Sequence, residues 1–196
     1  MATERDDMKR LLALYRDGRL AEEELLARLV PADESASAAS RRDDEPERRE
    51  LAEVLDGYRA AEASGAETIA AWAEASSDPR LAGALRVVAA REAAHAAVLE
   101  RRVRELGREP TAEIPTWLER YNEALLADTA CDEERLSAVV GRFPDIQAAL
   151  APLRERIDSL DHDPLTRELL RAIAQDEEAT LRWMHAALAE RKHRGS

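Results

Sequence analysis

LRVVAAREAAHAAVLERRV, residues 85–103, contains no glycine or proline and is dominated by strong helix formers. A helix of this length has to bury one face, and the question is whether Glu92 and His95 lie on it. Three residues apart, they project from the same side. Leu81, Leu85, Val88, Leu99, Val103 and Leu106 recur at spacings of three and four, the period of a buried helical stripe. Glu92 and His95 fill the places in that series where apolar residues are missing. The pattern turns an acid and an imidazole inward.

The neighbouring segments repeat the arrangement. Leu51, Leu55, Tyr58, Glu62, Gly65, Ile69 and Trp72 form one stripe, and Leu170, Ile173, Glu177, Thr180, Met184 and Leu188 form another. Each carries a carboxylate near mid-length. SDPRLAGALRVVAAREAAH (77–95) aligns with HDPLTRELLRAIAQDEEAT (162–180) at an offset of 85 residues. Asp78-Pro79 then falls on Asp163-Pro164, Leu85-Arg86 on Leu170-Arg171, Glu92 on Glu177 and His95 on Thr180. Both Asp-Pro pairs predict helix starts: the aspartate accepts from free N–H groups, and proline sits near the first helical position, where its missing N–H costs nothing. Two similar helix pairs point to a four-helix bundle.

Bulk properties agree and exclude several classes. The 196 residues are 45% hydrophobic and 36% charged with only 7 Gly and 8 Pro, an alphabet that favours an all-helical chain. Aromatics at 4% and a formal charge of −12 argue against a nucleic-acid partner, which requires basic and stacking surface. Cys131 is the sole cysteine, so no intrachain disulfide forms; it is expected as an inert core or boundary thiol. No apolar run approaches the roughly 20 residues of a membrane-spanning helix, and MATERDDMKR lacks the apolar stretch of a secretory signal. A cytoplasmic location without membrane contact is the expectation.

The chain divides into three parts. Residues 1–30 contain DDMKRLLALYRDGRLAEEELLARLV, two short helices about a turn at Asp17-Gly18. This hairpin resembles those appended to many bacterial proteins for oligomerisation or tethering, which implies a homo-oligomer or a partner protein. Residues 31–47 read as a flexible linker of small and charged residues. Residues 48–192 form the helical body. Within it, PTWLERYNEALL predicts a short amphipathic helix with Trp117 and Tyr121, inside a long connection between the two helix pairs. Pro144 marks the start of the third long helix and Pro152 a kink in it.

Inward carboxylates need compensation, because an isolated buried charge costs several kcal/mol and neighbouring ones repel. Protonation, pairing with a cation, or a bound metal ion would each supply it. An imidazole with carboxylate oxygens suits iron, manganese or zinc. Glu67, Glu74, Glu100 and Glu178 fall off the stripes and read as solvated charge.

These residues together resemble the ferritin-like superfamily, the rubrerythrin and bacterioferritin type of di-metal carboxylate bundle. In that family the first and third helices each give one Glu, and the second and fourth each give Glu-x-x-His. Glu62 matches the first ligand, Glu92 and His95 the second-helix motif, and Glu177 the fourth-helix Glu in QDEEATLRW. Thr180 stands where the family has His, and Gln147 where the offset puts the third-helix Glu. The resemblance implies a half-retained site: one ion held by Glu62, Glu92, His95 and Glu177, with Gln147 and Thr180 facing a degenerate second half. Its cofactor would be one transition metal, iron first and manganese or zinc otherwise, and its role metal handling or the response to oxidative stress. The alternative is a metal-free relict bundle working as a scaffold. In that case Glu92 and His95 are a buried hydrogen-bonded pair, and Glu62 and Glu177 are either protonated or bridged by arginine. Arg154, on the inward stripe of the third helix, can contribute to that bridge, and no cofactor is needed.

Overall fold

A computed structural model describes residues 45–127 and 129–194. The expected hairpin at 1–30 and residues 31–44 of the expected linker lie outside the described residues. The described residues are all-helical, with no strand among them. The helices are α1 (Glu45–Ala75), α2 (Pro79–Glu105), α3 (Thr116–Leu125), α4 (Asp132–Arg142), α5 (Ile146–Asp158) and α6 (Pro164–Arg194). The first begins at Glu45, inside the stretch read as linker. None of these helices is long and apolar enough to cross a membrane.

The chain falls into two compact units. Of the described residues, one holds 45–59 with Ala96–Ala112; the other holds Ala60–His95 with 113–127 and 129–194. In the first, Leu51, Leu55, Leu99, Val103 and Leu106 are buried, as their stripes require. Gly107 adopts φ +86° and ends α2. The Gly107 and Arg108 amides bond back to the Arg104 and Val103 carbonyls at 2.9 and 3.1 Å, the double closure for which a left-handed glycine is favoured. The chain beyond is tied down by Asp56, whose carboxylate accepts from the Thr111 and Ala112 amides, each at 2.7 Å, and from Arg59 Nε at 2.6 Å. Burial pushes the Asp56 carboxyl up, but these hydrogen bonds outweigh it and hold it below the usual range.

In the second unit, an apolar core forms around Trp72, Leu85, Leu136, Met184 and Leu188. Both Asp-Pro starts behave as read. Asp78 accepts from the Arg80 and Leu81 amides at 2.9 and 3.3 Å, and Asp163 from the Thr166 amide at 2.9 Å, with Pro79 and Pro164 opening their helices. Trp72 is fully buried and donates its indole N–H to Asp132 at 2.8 Å, which also accepts from Ser76 at 2.8 Å.

The third long helix is corrected. The helix expected to start at Pro144 is α5, which starts after Asp145, whose carboxylate caps the Gln147 and Ala148 amides at 2.9 and 3.1 Å. It is short, ending at Asp158, and a separate helix, α4, precedes it and ends at Arg142. Pro144 sits in the break and Pro152 inside α5. Both helices pack on α6. Cys131 is likewise corrected: it is exposed, at the N-cap of α4, where its amide donates to Glu134 at 2.8 Å. The short helix carrying Trp117 and Tyr121 is present as α3. Trp117 is largely exposed beneath the Arg142 guanidinium, 5.2 Å from the ring centroid.

Candidate metal centre

All the groups at issue lie in the second unit. α1 supplies Glu62, α2 supplies Arg91, Glu92 and His95, and α6 supplies Asp176, Glu177 and Thr180. Glu92, His95 and Thr180 are buried, and Glu62 and Glu177 are half-buried, so the inward register read from the stripes holds on all three helices.

His95, only 1% exposed, is the centre of the cluster. Its Nδ1 lies 3.1 Å from Glu62 Oε2 and 3.9 Å from Glu177 Oε1. Its Nε2 lies 3.1 Å from Asp176 Oδ2. One ligand atom from each of Glu62, His95 and Glu177 falls within 4.8 Å of the other two. Glu92 is not among the three groups that converge; its carboxyl lies against α1 at Gly65, where a Cβ would clash with Glu92 Oε2. Glycine is therefore required at position 65 for the carboxyl to sit where it does. Glu177 Oε1 is buried and has no hydrogen-bond partner.

Burial raises the Glu92 carboxyl to about 9, helped by the charges of Glu177 and Glu62. Burial and the charge of Glu62 raise Glu177 to about 7, against the opposing pull of His95 and Arg91. For His95, burial acts downward, but hydrogen bonds to Asp176 and Glu62 and the neighbouring carboxylates overcome it and lift the ring to about 9. At neutral pH without an ion, Glu92 is thus a neutral acid, and His95 is an imidazolium donating from both nitrogens.

Two participants escaped the sequence reading. Asp176 precedes the stripe residue Glu177, and Arg91 precedes the stripe residue Glu92. Arg91 donates to Thr180 Oγ1 and lies 3.9 Å from Asp176 Oδ1. The 85-residue offset carries Arg91 onto Asp176, which marks both as the residue before the buried glutamate; that signal was available. Attention to the stripe alone misses them, because long side chains one step off a stripe can lean back over it.

Other residues are placed elsewhere. Gln147 does not face the cluster: the Asp145 cap puts it in the exposed first turn of α5, where it pairs with Arg154 and lies 3.4 Å from Glu178. Arg154 bridges Glu178 at 2.8 Å, not Glu62 or Glu177. Glu178 is half-buried between Arg154 and Arg182 rather than freely solvated. His162 and His193 are exposed, and His185 donates to the Phe143 carbonyl at 2.9 Å.

No protein-family model, curated protein or solved structure matches this chain.

Proposed function

We propose that this chain is a ferritin-like metal-binding protein that holds a single transition-metal ion between Glu62, His95 and Glu177, with Glu92 as a fourth donor. The observation that carries the reading is the convergence of three ligand atoms from three helices within 4.8 Å, around a buried imidazole.

The donor set fits an ion. Two donors each about 2.1 Å from a common metal stand roughly 3 to 3.5 Å apart, and the Nδ1 distances of 3.1 and 3.9 Å need only a small contraction. The partnerless Glu177 oxygen is an acceptor that a cation would satisfy. Asp176 on Nε2 is the outer partner that a ligating histidine typically has: it keeps the proton on Nε2 and leaves the Nδ1 lone pair for a metal. One nitrogen with carboxylate oxygens suits iron, manganese or zinc. Such an ion supplies Lewis acidity and, if redox-active, one electron at a time. Metal handling or protection against oxidants is the corresponding role. The 85-residue offset, the two Asp-Pro caps and the three inward stripes support the four-helix architecture proposed with it.

The test is elemental analysis of full-length protein purified without chelator. About one ion per chain is expected, with none in a Glu92→Ala, His95→Ala double variant. Equal metal content in wild type and double variant overturns the proposal.

A second reading has its own observation. Both nitrogens of His95 already have carboxylate partners, and Arg91 supplies a resident cation, so the cluster also works as a metal-free polar network inside a scaffold. Under that reading the wild type carries no metal and melts at the same temperature with and without EDTA. A chelator-induced drop in melting temperature rejects it.

A further inference from the structure

Two hydrogen bonds in the cluster occupy corresponding places. Asp176 of α6 accepts from the His95 ring of α2 at 3.1 Å, and Arg91 of α2 donates to the Thr180 hydroxyl of α6. The offset of 85 maps Arg91 onto Asp176 and His95 onto Thr180, so each bond is the counterpart of the other with its chemistry reversed. On one side an acid stands behind an imidazole, which makes that ring a better donor to a cation. On the other a guanidinium stands behind a hydroxyl.

From this we infer that Arg91 is the resident cation of the second half of the cluster, and that its guanidinium limits the site to one metal ion. The inference rests on the metal-binding proposal above. Glu62, Glu92, Asp176 and Glu177 surround a single imidazole, and Glu92 and Glu177 both feel the charge of Arg91. What distinguishes the second half is a fixed positive charge that cannot be removed by deprotonation, 3.9 Å from Asp176 Oδ1. A divalent ion placed beside it is repelled, and the carboxylates it would use are already partly neutralised. Thr180 completes the arrangement. Its hydroxyl donates to the Asp176 carbonyl at 3.1 Å, which leaves an oxygen lone pair for the arginine. Arg91 Nε is buried without a partner, so the guanidinium is held mainly by the surrounding charge and by one end of its fork.

Mn2+ binding by equilibrium dialysis, read as ions per chain, tests this in the full-length protein. Wild type is expected to take up one. Arg91→Asp with Thr180→His reproduces in the second half the acid and imidazole of the first, and is expected to take up two. Arg91→Gln keeps a donor toward Thr180 but loses the charge, and is expected to bind a second ion at least tenfold more weakly than the first. It also decides the question if the double variant fails to fold. Thr180→His alone, with the arginine in place, should stay at one. Stoichiometry of one in folded Arg91→Gln up to millimolar Mn2+ overturns the inference while leaving the metal site standing. So does a stoichiometry of two in Thr180→His. A wild type that binds none removes the metal site itself, and this inference with it.

Discussion

α1, α2 and α6 build two buried regions of opposite character. Around Trp72, Leu85 and Leu188 they enclose apolar side chains; around His95 they enclose acids, an imidazole and a guanidinium. Leu85 and His95 are only about 15 Å apart along α2. Both are essentially inaccessible, at 0% and 1% exposure. The apolar region is stabilised by removal of surface from water, which depends on neither pH nor ions. The polar region is stabilised only when protons or a cation offset its negative charge. Equal burial therefore has unequal meaning.

The largest expected effect lies on the apolar side. Leu85→Ala should cost about 2–5 kcal/mol in denaturant unfolding, because a fully buried leucine leaves a cavity. Metal content per folded chain should not change. A parallel loss of metal would mean that the two regions are not separable.

Next is the response to pH. Glu92 and Glu177 titrate above the ordinary carboxylate value of 4.5, at about 9 and 7, and His95 above 6.5, at about 9. For all three the folded, metal-free protein holds protons that the unfolded chain has lost, so stability falls as pH rises from about 4.5 to 9. The His95 share is fully present below about 6.5 and is lost as pH passes 9. Metal binding displaces those protons and should tighten over the same range. Thermal melts of EDTA-treated and metal-loaded protein from pH 5 to 9 should therefore diverge. Glu92→Gln, a neutral isostere, should flatten the metal-free curve and reduce metal affinity roughly 10–100-fold. A metal-free melting temperature that climbs with pH contradicts this account.

Gly65→Ala gives a smaller and divided effect. Alanine in a helix gains roughly 0.5–1 kcal/mol over glycine, while its Cβ displaces the Glu92 carboxyl. Stability should change by about 1 kcal/mol or less in either direction. Metal affinity should fall, as isothermal titration would show. The smallest effect is reserved for Gln147→Ala. Exposed in the first turn of α5, Gln147 should alter stability by about 0.5 kcal/mol or less and leave metal stoichiometry intact. A loss of metal there would restore it to the site from which the structure removes it.

The cluster was legible in unequal parts. Glu62, Glu92, His95, Glu177 and Thr180 follow from helical spacing, since a seven-residue rhythm of leucines assigns a face to whatever interrupts it. Gln147 was misplaced because the offset assumes that the third helix keeps the register of the first. The Asp145 cap restarts the chain there and resets the register. Asp176 and Arg91 were missed because periodicity ranks residues by backbone angle, while a guanidinium or carboxylate acts some distance from its own Cα.

The amino-acid sequence by itself determined the helices, their capped starts at Asp78 and Asp163, and the face each long helix turns inward. These are local matters, set by backbone hydrogen bonding and the 3.6-residue turn. Only the tertiary structure decided which inward groups meet, that Asp176 closes on His95, and that Arg91 reaches Thr180. Those pairings join positions more than 80 residues apart. They depend on the rotation and height of one helix against another, which packing fixes and spacing along a single helix does not express.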